Sequence, residues 1–426
     1  MNRTSRNYPL LLVSQFLGAF GDNFLLAAIL APLTFAQTSG AITIGRVNEL
    51  NALFTLVFFL PFIVLAPVAG YLNDRHPKTT WLAGGNLIKL LGTLVGLVGV
   101  LRHGVLGGGD LPWQVAGYAV VGLGACFYSP AKYGILPEIV ARERLVKANG
   151  TVEMLTLVAI IAGLGLGAIV YDRTRSLPLC YGIAALWYLL ALACNAGMTR
   201  TPCNAEARFR ASFGEFAADL LRFLRHPRLL RILLGCGVFW FAGSALRNNL
   251  QAWGLVVFAE AGVPADKISN ETLVLLKVGM VLGIVIGSVL AGLWHRVSEL
   301  HWSRRYAFLM AASVALLGVL GGRFGLTVVV VALVAAGGFA GLLIVPLNAA
   351  LQSETDPKRL GKTIAIQNFV DYVAMAVGAG FLAVLTKAGF GPRPVFLWLA
   401  AAIVVLAVAL TFGRNLRSTP AREGQP

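Results

Sequence analysis

Apolar residues in this chain neither alternate with a period of two nor recur at helical spacing. They run in continuous blocks of about 20, the length that crosses ~30 Å of hydrocarbon as a helix. Short segments rich in Gly, Pro and Arg separate the blocks. The pattern predicts twelve spans: Leu10–Phe35, Leu50–Leu72, Trp81–Leu101, Pro112–Tyr128, Val152–Tyr171, Pro178–Met198, Ile232–Ala259, Leu273–Trp294, Tyr306–Gly322, Leu326–Leu347, Ile364–Thr386 and Pro394–Phe412. The first apolar run is too long for a signal-peptide core and lacks a small-residue cleavage motif, so it is expected to stay as a span. The fold class expected is an all-α, multi-pass membrane protein.

Composition agrees. Of the 426 residues, 57% are hydrophobic and 13% charged, against about 25% charged in soluble domains. The net charge of +16 suggests nucleic acid until its placement is read. With the N-terminus inside, 24 Lys and Arg fall in inside segments and 8 in outside ones. That split predicts cytoplasmic termini by the positive-inside rule, so the charge reports topology and no nucleic-acid partner is expected. Cys126, Cys180, Cys194, Cys203 and Cys236 form no CxxC pair and read as buried soft side chains, so no metal is expected. The five histidines lie in or beside loops, without an HExxH motif or nucleophile elbow, and no enzyme is expected. "GLGLGA", Gly163 to Ala168, imitates a nucleotide fingerprint but follows no strand, so it reads as a helix-packing stripe. No cofactor is expected.

Between spans 6 and 7, Ser212 precedes Glu215 at capping-box spacing. Phe213, Phe216, Leu220 and Phe223 follow at helical spacing among arginines, up to Pro227. This predicts an amphipathic linker helix at the inner leaflet. The domains expected are residues 1–200 and 232–426, two six-helix bundles, joined by 201–231. The halves repeat: Pro130 matches Pro346, Lys132 matches Asn348, and Glu153 matches Asp371, each four residues after Asn149 or Gln367. "FLGAFGDNFL" likewise corresponds to "FWFAGSALRNNL".

Two parallel six-helix repeats resemble the major facilitator fold, whose site lies at the midplane. The loop "GYLNDRHPKTTWL" is similar to that superfamily's signature, in Gly70, Asp74, Arg75 and Lys78. The resemblance implies a cytoplasmic latch in which Asp74 faces a helix N-terminus. The equivalent loop after span 8 lacks the Asp. "QFLGAFGDN", "YSPAKYGIL", "LVKANG", "VPLNAALQ" and "AIQN" together resemble the LplT-type lysophospholipid transporters of Gram-negative bacteria. That resemblance implies an inner-membrane flippase for lysophosphatidylethanolamine and lysophosphatidylglycerol. It also implies re-acylation by the partner Aas, an acyltransferase/acyl-carrier-protein synthetase. A monomer among membrane lipids is expected.

Such a cargo needs a cation or amides for phosphate and a carboxylate for ammonium. Asp22 lies 12 residues into its span, about 18 Å, and Arg247 lies 15 residues into span 7, about 22 Å. Intramembrane charges point to function, and the two are expected to pair across the halves as a gate, with Arg247 suited to phosphate. Asp22 with Asn23, or Glu153 or Asp371, is the candidate for the amine. Glu153 and Asp371, near the starts of their spans, also fit simple helix-dipole stabilisation. Lys132 and Lys89 either reach the cavity or snorkel, and Lys277 is expected to snorkel outward. Gln15, Asn348, Gln367 and Asn368 are candidate amide donors that also fit helix-packing roles. The competing reading within transport is a proton-coupled drug or metabolite antiporter, against which span 5 lacks the Gly-Pro signature. A non-transporting scaffold leaves the polar residues at mid-depth unexplained.

Overall fold

The computed structural model describes residues 6–38, 40–105, 109–264, 270–297 and 299–409. Among them no strand occurs. In chain order the helices are α1 (Asn7–Thr38), α2 (Ile44–Val64), α3 (Ala66–Arg75), α4 (Lys78–His103), α5 (Asp110–Gly134), α6 (Leu136–Ile139), α7 (Leu145–Thr174), α8 (Leu177–Ala196), α9 (Phe209–Arg225), α10 (Pro227–Glu260), α11 (Asn270–Trp294), α12 (His301–Val319), α13 (Leu326–Glu354), α14 (Leu360–Lys387) and α15 (Pro392–Ala409).

Each predicted span overlaps one of these helices, except Leu50–Leu72, which α2 and α3 share. The end of the twelfth, at Phe412, lies outside the described residues. Eight helices among the described residues are long and apolar enough to cross a membrane, nine if α2 and α3, bent by 59°, count as one. The bend follows Pro61, and a second proline, Pro67, opens α3, where a missing amide costs nothing. Several helices outrun the apolar pattern. α7 begins seven residues before Val152 and α13 runs seven past Leu347, because polar residues at a span's end still find helical hydrogen bonds.

Backbone contacts divide the chain into two units. One comprises Met1–Ala141, Leu155–Ala217 and Thr355–Phe369; the other comprises Arg142–Met154, Ala218–Glu354 and Val370–Pro426. In the first, α4 packs on α5 and α8, α1 on α8, and α2 on α5. In the second, α12 packs on α13 and α15, α10 on α15, and α11 on α13. These are the same pairings, displaced by six spans. The repeat written in short motifs is therefore also a repeat of helix packing.

Lipid removes the usual hydrophobic drive between helices, so close van der Waals approach must hold them together. A Cβ on Gly92 of α4 would stand 2.5 Å from the Gly117 carbonyl oxygen of α5. In the second unit a Cβ on Gly287 of α11 would meet the Gly338 oxygen of α13 at 2.0 Å. No larger residue fits either seam. On the other side of α4, Leu87, Leu91, Leu94, Val98 and Leu101 are exposed at three- and four-residue spacing, a face suited to hydrocarbon. "GLGLGA" is confirmed as packing: a Cβ on Gly163 or Gly167 would collide with the oxygens of Phe20 and Phe24 on α1.

The linker helix differs from expectation at its start. α9 begins at Phe209, so Ser212 lies inside its first turn rather than at the cap. Its hydroxyl donates to the Pro67 carbonyl at 3.1 Å. Glu215 reaches Lys362 instead of folding back. Phe209 stacks edge-on against Tyr71 and Phe216 against Phe369, contacts that outweigh a local capping box. Pro227 then opens α10.

Candidate functional site

Asp22 is buried in the first unit. Lys89 Nζ of α4 donates to its Oδ2 at 2.7 Å, and the Tyr188 hydroxyl of α8 donates to Oδ1 at 2.8 Å. The Tyr118 hydroxyl reaches the Asp22 backbone oxygen at 3.3 Å. Local sequence makes this possible. Glycines at 18 and 21 clear α1 on that side: a Cβ at 21 would press on the Tyr188 ring at 3.0 Å, and one at 18 would come within 3.7 Å of Lys89 Nζ. Lys89 Nζ also lies 5.2 Å from the Tyr128 ring centre, a cation–π contact that shares its charge with an apolar wall. The carboxylate is thus paired and doubly hydrogen-bonded, which is what its burial demands.

Asp22 was expected to face Arg247. Within its own unit its two oxygens are taken by Lys89 and Tyr188. Hydropathy misses this because Lys89 is itself submerged in an apolar block, and only tertiary packing shows that the two charges share a depth. The Asn23 amide donates back to Ala19 at 2.8 Å. Gln15 donates to Thr156 at 2.7 Å, and Asn368 to Ser129 at 3.0 Å. Gln367 is buried. Lys132 lies over the Tyr133 ring at 4.2 Å.

At one end of the first unit Asp74 closes α3. Its Oδ1 accepts from the Gly361 amide at 2.7 Å and its Oδ2 from the Lys362 amide at 3.2 Å, the opening residues of α14. Carboxylates gain from a helix N-terminus because its first amides lack partners. Gly70 permits the approach, since a Cβ there would stand 2.9 Å from Lys362 Cα. Lys78 is buried and paired with Glu138 at 2.5 Å, and Arg75 is half-buried. Lys362 faces two ways: its amide serves Asp74 while its ammonium pairs with Glu215. Sequence reading overlooked Glu138 and Lys362 and gave Glu215 only a capping role, because each sits among other charges between the apolar blocks.

In the second unit Arg247 is exposed on α10 and forms no ion pair among the described residues. Lys277 Nζ donates to Gln251 Oε1 on α10 at 2.6 Å. It lies close enough to feel the charge of Arg247. Glu153 and Asp371 are buried, and Asn348 donates to Glu153 at 3.4 Å. Glu153 is eight residues into α7 and Asp371 eleven into α14. Dipole effects fade within the first turn, so that explanation of the two carboxylates is withdrawn. Asn149 and Gln352 exchange reciprocal amide bonds of 2.8 and 2.9 Å.

Two repeats of one packing scheme, with charges held inside apolar helices, define a membrane carrier. The Major Facilitator Superfamily pattern matches residues 11–322. The lysophospholipid transporter LplT of Photorhabdus laumondii is 34% identical over 401 residues, covering 91% of this chain and 92% of that one. Its namesake in Yersinia enterocolitica is 31% identical over 389 residues, covering 90% and 88%. Among solved structures, the human organic anion transporter MFSD10 superimposes with a TM-score of 0.74 at 16% identity, over 96% of this chain and 99% of that one. The fucose:proton symporter FucP of E. coli gives 0.67 at 16%, over 95% and 98%. The last two establish the fold alone. The chain belongs to the major facilitator superfamily and, within it, to the family of these LplT relatives.

Proposed function

We propose that this protein transports lysophospholipids, taking lysophosphatidylethanolamine and lysophosphatidylglycerol from the outer to the inner leaflet of the bacterial inner membrane. One observation carries the reading: transporters named for that cargo align with about nine-tenths of this chain at 31% and 34% identity. The charges within the apolar helices suit it, since a headgroup bearing phosphate can be held by a guanidinium fork while a single acyl chain stays in apolar surroundings.

The carrier works by alternating access and makes or breaks no covalent bond in its cargo. Twelve crossings with both termini in the cytoplasm follow from the twelve spans and the placement of Lys and Arg. Residues 1–200 and 232–426 act as the two halves and 201–231 as their tether. Asp22 and Lys89 form the buried pair that the passing headgroup must loosen, and Arg247 takes the phosphate. Asp74, set on the N-terminus of α14, acts as the cytoplasmic latch. The protein acts as a monomer and hands its cargo to Aas for re-acylation.

Uptake of labelled lysophosphatidylethanolamine by vesicles containing the purified protein tests the reading. Uptake that survives collapse of ion gradients and fails in Asp22→Asn and Arg247→Ala supports a facilitated flippase. Absence of uptake under any gradient returns the substrate to the antiporter alternative.

A further inference from the structure

We propose that Asp371, with Glu153 beside it, receives the primary ammonium of an ethanolamine headgroup and so sets which lysophospholipids are preferred. The inference rests on the reading of the protein as a lysophospholipid transporter and deepens it.

Two carboxylates in the second unit carry the argument. Asp371 and Glu153 are both more than nine-tenths buried and lie within electrostatic reach of each other. Like charges held together in an apolar setting repel, and burial removes the water that would screen them. The Trp240 side chain lies near the carboxyl group, yet Asp371 Oδ1 is buried with no hydrogen-bond partner. Asp371 also has no ion pair among the described residues: the basic groups paired with carboxylates in this unit are Arg228, His295 and Arg393, with Glu354, Glu299 and Glu260. An orphaned acceptor beside a second carboxylate calls for a small cation that donates hydrogen bonds. A primary ammonium, with three N–H donors and one charge, meets that description.

The other candidate for the amine is Asp22. Both of its oxygens are taken, by Lys89 and Tyr188, so a substrate ammonium must displace an internal one to bind there. At Asp371 Oδ1 it displaces no partner.

The phosphate has a place on the same side. α10 packs closely on α14, where a Cβ on Gly378 would stand 2.3 Å from the Phe241 oxygen. Trp240, which lies near Asp371, and Arg247 are seven residues apart on α10, hence on one face about 10 Å apart along the axis. Lys277, bonded to Gln251 one turn beyond Arg247, adds a second positive charge to that region. Basic groups for a phosphate thus lie on and beside α10, about two turns from Trp240, the residue near the cation-binding carboxyl group.

The test is uptake of lysophosphatidylethanolamine and lysophosphatidylglycerol, measured in parallel for the intact protein and Asp371→Asn, with and without proton and sodium gradients. The glycerol head is uncharged beyond its phosphate, so the second lipid reports folding and the transport cycle. The expected result is a loss of ethanolamine-lipid uptake of about tenfold or more, as for a charge left without its buried partner, with glycerol-lipid uptake within about twofold of the intact protein. A fall shared equally by both lipids overturns the inference, as does no fall in either. Loss of gradient dependence for both lipids identifies an inorganic coupling cation and overturns it too. If the intact protein transports neither lipid, the underlying transport reading fails instead.

Discussion

Lys89 Nζ and Asp22 Oδ2 stand 2.7 Å apart inside the first unit, with side chains 3% and 12% exposed. Breaking a buried pair by removing one partner costs about 3–5 kcal/mol, because the remaining charge stays uncompensated. Lys89→Met and Asp22→Asn should each lower the thermal unfolding midpoint in detergent markedly. The double variant should lose less than the sum of the two, since neither charge is then stranded. Strict additivity would show that the two groups do not interact.

At the junction of α3 and α14, Gly361 permits the carboxylate to sit on the amides. A Cβ there would come 2.7 Å from Asn73 Cβ and 2.8 Å from Asp74 Oδ1. Gly361→Ala should therefore push Asp74 away and destabilise the protein by about 1–3 kcal/mol, the cost of a buried acceptor losing its donors. Asp74→Ala should do the same, and combining them should add little. Unfolding midpoints and lipid uptake rates of the three variants decide this.

The glycine stripe of α7 offers an internal control. Gly163 would press a Cβ to 2.5 Å from the Phe20 oxygen, whereas Gly165 has nothing within 4 Å. Gly163→Ala should destabilise the protein and lower expression. Gly165→Ala should be neutral or slightly stabilising, because alanine is the better helix former by roughly 1 kcal/mol. Equal behaviour of the two would remove the packing explanation.

The linker contact should depend on pH. The hydrogen bond from Lys362, with the charges of Lys362 and Arg359, holds the Glu215 carboxyl below its ordinary value despite some burial. A depressed acid stabilises the folded contact above its unfolded pKa and loses that contribution as pH falls through the folded one. Protease nicking of the 201–231 segment should thus increase only once pH drops below the ordinary glutamate range. Glu215→Gln should show the nicked level already at neutral pH, without further change on acidification.

The all-helical class, the positions of the spans and the twofold repeat were legible in the sequence. Each rests on a one-dimensional requirement: a helix must carry about 20 apolar residues through hydrocarbon and satisfy its own backbone. The same requirement explains why Asp22, an acid in the middle of such a block, could be singled out without coordinates. Its partner could not be found that way. Lys89 and Arg247 are both basic residues inside apolar spans, and rise per residue places each only roughly in depth. Which of them meets Asp22 is decided by how α1, α4 and α8 are rotated against one another, through contacts such as those cleared by Gly18 and Gly21. The meeting of Asp74 with Gly361, 287 residues on, and the orphaned oxygen of Asp371 are likewise consequences of helix rotation. Hydrophobicity constrains where the chain crosses the membrane; only packing in three dimensions chooses which buried charges are paired and which is left waiting.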